Sequence, residues 1–163
     1  MPPVICIVGK SKAAKTRLMG ALIKDLKNRG LSVGALKYHK HGEFEIDIEG
    51  KDTWKYSMAG ADTVAITSSL KFAVIKTINV PTDIDEICEK YFSDNNIVLA
   101  DGFTLSDKPR IIVVEKKEDA AIFEMGCRVI SVTDGNIGSM GAVINDVLVF
   151  LGSDFSKCLY RIE

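Results

Sequence analysis

This chain lacks the cysteine pattern of a metal site. Cys6, Cys88, Cys127 and Cys158 stand far apart, with no CxxC pair and no Cys/His cluster, so a structural zinc site is excluded. Buried, reduced thiols in a cytoplasmic protein are the reading. Long apolar runs are missing too. Val4 to Val8 and Ile111 to Val114 are only strand-length, against the ~18 residues of a membrane-spanning helix. A secretory leader is not expected, because the amino terminus has no basic start and its apolar stretch stops at Gly9. Charge of one sign is also scarce. With 21 basic and 22 acidic residues the formal charge is −1, which removes the field of a general nucleic-acid or anionic-membrane binder and makes any basic site local. Arginine is limited to Arg17, Arg29, Arg110, Arg128 and Arg161, with no cluster resembling the mobile lid of a small kinase.

What remains is a chain of 163 residues, 47% hydrophobic, long enough for one substantial core and expected to form a single domain over residues 1–163. Apolar runs and amphipathic stripes alternate. Val4 to Val8 is a continuous apolar run, as in a parallel strand buried on both faces. Leu18, Leu22 and Leu26 form a helical stripe that ends at Gly30. Leu31 to Leu36 reads as a second strand, Glu43 to Ile48 as a short hairpin arm, and Asp52 to Ala59 as a helix capped by Asp52 and stopped by Gly60. Asp62 to Thr67 and Phe72 to Ile78 read as an antiparallel pair. A third helix carries Ile84, Ile87, Cys88 and Tyr91, and short strands follow at Ile97 to Ala100, Ile111 to Val114 and Val129 to Val132. The last helix carries Met140, Val143, Ile144, Val147, Leu148 and Leu151, with Gly152 after it. Strand and helix in alternation predict an α/β fold with a mainly parallel central sheet, and the loop GKSKAAKT after the first strand makes the expectation a three-layer, P-loop NTPase-like one.

Between the first strand and first helix lies GKSKAAKT, Gly9 to Thr16. The phosphate-loop pattern GxxxxGK[ST] is met except at Ala14, where it asks for glycine. In such a loop successive backbone N–H groups and a helix N-terminus converge on phosphate oxygens. Gly9, Lys10, Ala13, Ala14, Lys15, Thr16 and Arg17 are therefore candidate nucleotide-binding residues, with Lys15 on the phosphates, Thr16 in the shell of a magnesium ion and Lys15 opening the helix. The competing reading is a turn that caps a helix. NIVLADGF places Asp101 at the carboxyl end of a buried strand, where ligands of open α/β sheets bind. Asp101 and Asp47 are candidate magnesium carboxylates. Lys51, in Gly50-Lys51-Asp52 at a helix start, is a second anion candidate. In KYHKH, Lys37, His39 and His41 fall on one side of an extended segment and suit an anion better than a metal, since two histidines are too few ligands; the competing reading for each histidine is a solvated loop. Asp134, in SVTDG after a strand, is a candidate acceptor for guanine N–H groups, or else a turn residue.

Three blocks in order, IVGKSKAAKT, DIEGKDTWKYSMAGAD and ADGFTLSDKPRI, resemble the MobB family of molybdopterin-guanine dinucleotide biosynthesis adaptors. The resemblance runs from about Val4 to Val114, and VISVTDG is compatible with it. It implies Lys15 and Thr16 at phosphate and magnesium, Asp47 and Asp101 near the metal, and Lys51 and Asp52 in the second block. It further implies a GTP-binding homodimer with at most slow GTP hydrolysis, assisting the guanylyltransferase that attaches GMP to molybdopterin, with molybdopterin as a further candidate ligand. Alternatives from other classes are a small P-loop kinase and a scaffold whose loop binds nothing. Ala14 stands where the family commonly has glycine, and Asp101 where it commonly has Glu.

Overall fold

The structure, a computed structural model, describes residues 1–40, 42 and 44–155. In chain order its elements are β1 (Val4–Gly9), α1 (Lys12–Asn28), β2 (Val33–Lys37), α2 (Asp52–Met58), β3 (Thr63–Thr67), β4 (Phe72–Lys76), α3 (Ile84–Tyr91), β5 (Ile97–Asp101), β6 (Arg110–Val113), α4 (Ala121–Glu124), β7 (Val129–Thr133) and α5 (Met140–Phe155). Among the described residues, Met1–Tyr38 and those from Ile84 onward form one compact unit, and those of His39–Asp83 form another.

The first unit is built on a five-stranded sheet in the order β2-β5-β1-β6-β7, every pairing parallel. Alternation along β1 sets two cores. Ile5 and Ile7 pack with Leu18, Leu22 and Leu26 of α1 and Val143 and Val147 of α5. Val4, Cys6 and Val8 pack with Ile84 and Cys88 of α3. Helices thus cover both faces, which is why β1, β5 and β6 read as unbroken apolar runs. The expected α/β fold with its mainly parallel sheet is what forms. The register sets Ile7 and Lys37 on either side of Asp101, bringing three strand ends to one edge. At the far end of α1, Gly30 at φ +83° accepts the left-handed turn, with Gly30 N–H donating to Lys27 O (3.0 Å) and Leu31 N–H to Leu26 O (3.1 Å).

The second unit holds α2 and the antiparallel pair β3–β4, with Val64 opposite Ile75 and Ile66 opposite Ala73, so the expected pair of strands forms. Three expectations are corrected, and one element is additional. The Glu43 to Ile48 arm is not a strand among the described residues: Phe44, Ile46 and Ile48 are exposed, so their alternation has no buried face to favour it. Lys51, not Asp52, is the N-cap of α2. A 3₁₀ turn at Lys117–Ala120 leads into α4, where no helix was expected. Gly152 lies inside α5, where burial of Val147, Phe150 and Leu151 outweighs the ~1 kcal/mol that a helical glycine costs. Among the described residues no helix is long and apolar enough to cross a membrane.

Candidate functional site

The loop after β1 is shorter than its sequence pattern predicts. Gly9, at φ +145°, closes β1 so tightly against β6 that an added Cβ would sit 2.0 Å from Val113 O. Three residues later, at Lys12, α1 begins. Ser11 is its N-cap, its hydroxyl accepting from Ala14 N–H at 3.3 Å, and Lys15 N–H donates to Ser11 O at 3.1 Å. The expectation that Lys15 opens the helix is corrected by one turn. Ser11 is a strong N-cap, and alanine at positions 13 and 14 favours helix where glycine would not. The first-turn N–H groups of Lys12 and Ala13 have no intrahelical acceptor, and no acidic residue stands in that turn to offset the positive helix end.

Ala14 is not strained. Its φ is not positive, and its methyl, 8% exposed, belongs to the core cluster shared by α1 and α5. Gly135, at φ +73°, approaches so closely that a Cβ there would lie 3.0 Å from that methyl. Thr16 is exposed, and its hydroxyl donates to Lys12 O at 3.0 Å. Lys15 turns to the sheet edge, where its Nζ lies 3.6 Å from Asp101 Oδ1. The other Asp101 oxygen accepts from Lys37 Nζ, so a carboxylate only 9% exposed is shared by two ammonium groups. Gly102 follows at φ +98°, close beneath Tyr38.

A cavity of about 480 Å³ adjoins the start of α1, lined by Lys10, Ser11, Ala14, Arg17, Glu115, Asp119, Asp134 and Asn136 among others. Arg17 reaches across it, its Nη1 3.4 Å from Gly135 O and from Asn136 Oδ1. Asp134 faces the same space but is already engaged. It accepts from Asn136 N–H at 2.9 Å, from Ser139 Oγ at 2.8 Å and from Asn136 Nδ2 at 2.8 Å. These bonds, the backbone one foremost, hold its carboxyl below the usual aspartate range. The cavity thus offers both cations and carboxylates, and its size suits a small-molecule ligand.

Of the residues singled out in the sequence, Lys10, Ala14, Arg17 and Asp134 line one cavity, and Lys15 meets Asp101. Gly9 shapes the loop, Ala13 and Thr16 are exposed on α1, and Lys51 and Asp47 belong to the second unit. There Asp47 Oδ1 accepts from Ile48 N–H at 2.8 Å and Thr53 Oγ1 at 3.0 Å, while its buried Oδ2 has no hydrogen-bond partner. His39 stands edge-on to Phe44 at 6.1 Å, and His41 lies outside the described residues, as does Cys158. Among the described residues no three His, Cys, Asp or Glu side chains gather as a metal site. Sequence reasoning missed the grip of Lys37 on Asp101, whose signal is that both end neighbouring parallel strands. It also missed Arg110, counted only as one of a scattered few. Fully buried, Arg110 donates to Thr104 O (3.2 Å), Phe123 O (2.8 Å), Ser106 O and Cys127 Sγ (2.9 Å), pinning the connection that follows Asp101.

Comparison with known proteins places the chain among relatives of one family. The profile of the family described as "MobB: Molybdopterin guanine dinucleotide synthesis protein B" matches residues 4–134. The chain is 30% identical over 119 residues to a protein of Bacillus subtilis (strain 168) named "Probable molybdopterin-guanine dinucleotide biosynthesis adapter protein", covering 72% of this chain and 68% of that one. It is 30% identical over 112 residues to the Haemophilus influenzae "Molybdopterin-guanine dinucleotide biosynthesis adapter protein", covering 68% of this chain and 62% of that one. A crystal structure titled "molybdopterin-guanine biosynthesis protein B (mobB)" superposes with a TM-score of 0.73 at 30% identity, over 91% of this chain and 98% of the other.

Proposed function

Because the chain belongs to the MobB family, we propose that it is a GTP-binding adaptor of molybdopterin-guanine dinucleotide biosynthesis, acting in the cytoplasm on the guanylyltransferase that joins GMP to molybdopterin. The observation that carries the reading is the placement of Lys15. It projects from the first turns of a helix that directly follows a buried parallel strand, beside a buried carboxylate at the neighbouring strand end, and Ala14 and Arg17 of the same helix line a cavity. Phosphates fit the positive helix end with Lys15, and Lys10 and Arg17 add charge along the cavity wall. The carboxylate of Asp134 suits the N–H donors of guanine. In the second unit, inserted in the sequence between β2 and α3, Lys51 is proposed as an anion contact and Asp47 as an oxygen donor, and residues 1–163 are read as one domain. A homodimer belongs to this reading, with the exposed Phe72 and Val74, on one face of the β3–β4 pair, as apolar surface for a second copy to cover.

Magnesium was expected at Thr16, Asp47 and Asp101. The oxygen donors are of the right kind, but both oxygens of Asp101 face ammonium groups, so the edge as arranged does not fit a directly bound divalent ion. Magnesium therefore enters the proposal only as a companion of the nucleotide's own phosphates.

Calorimetric titration of GTP into the chain and into Lys15→Ala tests the reading. A charge-assisted contact is worth about 1.5–3 kcal/mol, so the variant is expected to bind at least ~10-fold more weakly with its circular dichroism unchanged. Equal affinities would sink the assignment.

A further inference from the structure

Lys15 and Lys37 converge on one carboxylate from the two strands that flank β5: Lys15 from the helix after β1, Lys37 from the end of β2 itself, opposite Asp101 in register. The three side chains differ in freedom. Asp101 is 9% and Lys15 16% exposed, whereas Lys37 is 53% exposed. One carboxylate cannot neutralise two ammonium groups, so the cluster carries excess positive charge at the edge where an anion would enter. The nucleotide reading also requires Lys15 to turn from Asp101 to phosphate. A buried carboxylate stripped of its partner is strongly disfavoured, and elsewhere a divalent cation restores the balance. Here Lys37 already holds the second oxygen and need not move.

We propose that Lys37 is a positioning residue whose tethered ammonium takes the cation place at Asp101, so that Lys15 is released to a nucleotide's phosphates without a divalent ion. The proposal rests on the nucleotide-binding reading above and deepens it. Lys37 touches no phosphate in this scheme: it acts through Asp101. Its charge is present at any metal concentration, so nucleotide affinity is insensitive to magnesium. Neutralising Lys37 transfers its task to the metal.

The test is GTP titration in EDTA and in excess magnesium. The unaltered chain is expected to differ by less than ~3-fold between the two conditions, and Lys37→Met to bind at least ~10-fold more weakly in EDTA than in magnesium. Lys37→Arg, which keeps the charge, should behave as the unaltered chain. A Lys37→Met variant insensitive to magnesium, or an unaltered chain that loses tenfold in EDTA, overturns the proposal. A second measurement needs no nucleotide. In a manganese titration followed by electron paramagnetic resonance, carried out in a Lys15→Met background that reproduces the withdrawal of Lys15 from Asp101, adding Lys37→Met should tighten Mn²⁺ binding at least ~10-fold, and adding Asp101→Asn should remove the gain. Equal manganese titrations overturn the proposal. Absence of GTP binding together with this manganese gain would overturn the nucleotide reading and leave the Lys37–Asp101 assignment standing.

Discussion

Ala14 is the residue at which sequence and structure part most instructively. Against the glycine of the phosphate-loop pattern it reads as a defect, a methyl that crowds the ligand. In the folded chain the methyl is a core contact, facing Gly135 and Val113 beneath the loop. Restoring the pattern with Ala14→Gly therefore should not tighten GTP binding. It removes a buried methyl and places glycine in the first turn of α1, a combination expected to cost about 1 kcal/mol or somewhat more of stability. Urea denaturation beside a GTP titration checks this; tighter binding without loss of stability would show that the methyl obstructs the site. The position of Ala14 was legible from its residue type, but the direction of its Cβ was not, because that depends on where the helix begins.

At the scale of elements, the legible parts were those whose pattern answers to burial. Val4–Val8, Ile97–Ala100 and the Leu18/Leu22/Leu26 stripe were found because two packed faces demand such residues. What escaped was set by local competition. Ser11 starts α1 one turn early, a contest between a cap and a nucleotide loop that residue types leave undecided. The Lys37 contact escaped because Asp101 is 64 residues away, and Arg110 because its partners Thr104 O, Ser106 O and Phe123 O are backbone oxygens that no residue type announces. The β7–α5 connection offers a test at this scale. Asp134 ties it through Asn136 and Ser139, and these bonds make the folded carboxyl more acidic than the unfolded one. A depressed folded value means that Asp134 contributes stability above the unfolded value of about 3.9, and that the contribution is lost as pH falls through the lower folded value. Asp134→Asn should therefore be less stable than the parent at neutral pH, with the gap closing as pH drops below ~4. A gap constant in pH would mean that the carboxylate's charge plays no part. The same variant should shift nucleotide preference from GTP towards XTP if Asp134 reads the base.

For the whole molecule the question is whether the nucleotide is consumed or presented. A small kinase needs mobile cations to neutralise a phosphoryl group in flight. Among the described arginines Arg110 is buried on carbonyl oxygens, Arg29 is paired with Asp25, Arg128 lies over Phe150, and Arg17 alone lines the cavity. The proposed adaptor holds a nucleotide, whereas a kinase transfers its phosphate. The expected outcome follows from that difference. Added to a guanylyltransferase at limiting GTP, the chain should raise the yield of molybdopterin-guanine dinucleotide, and alone it should produce none. Lys15→Ala should remove the stimulation, and gel filtration should show the two proteins co-eluting. A kinase would instead phosphorylate a small acceptor at ~1–100 s⁻¹. Such turnover, with no effect on the guanylyltransferase, would overturn the adaptor reading. Stimulation that survives Lys15→Ala would keep the partnership but move its cause from the bound nucleotide to the protein surface.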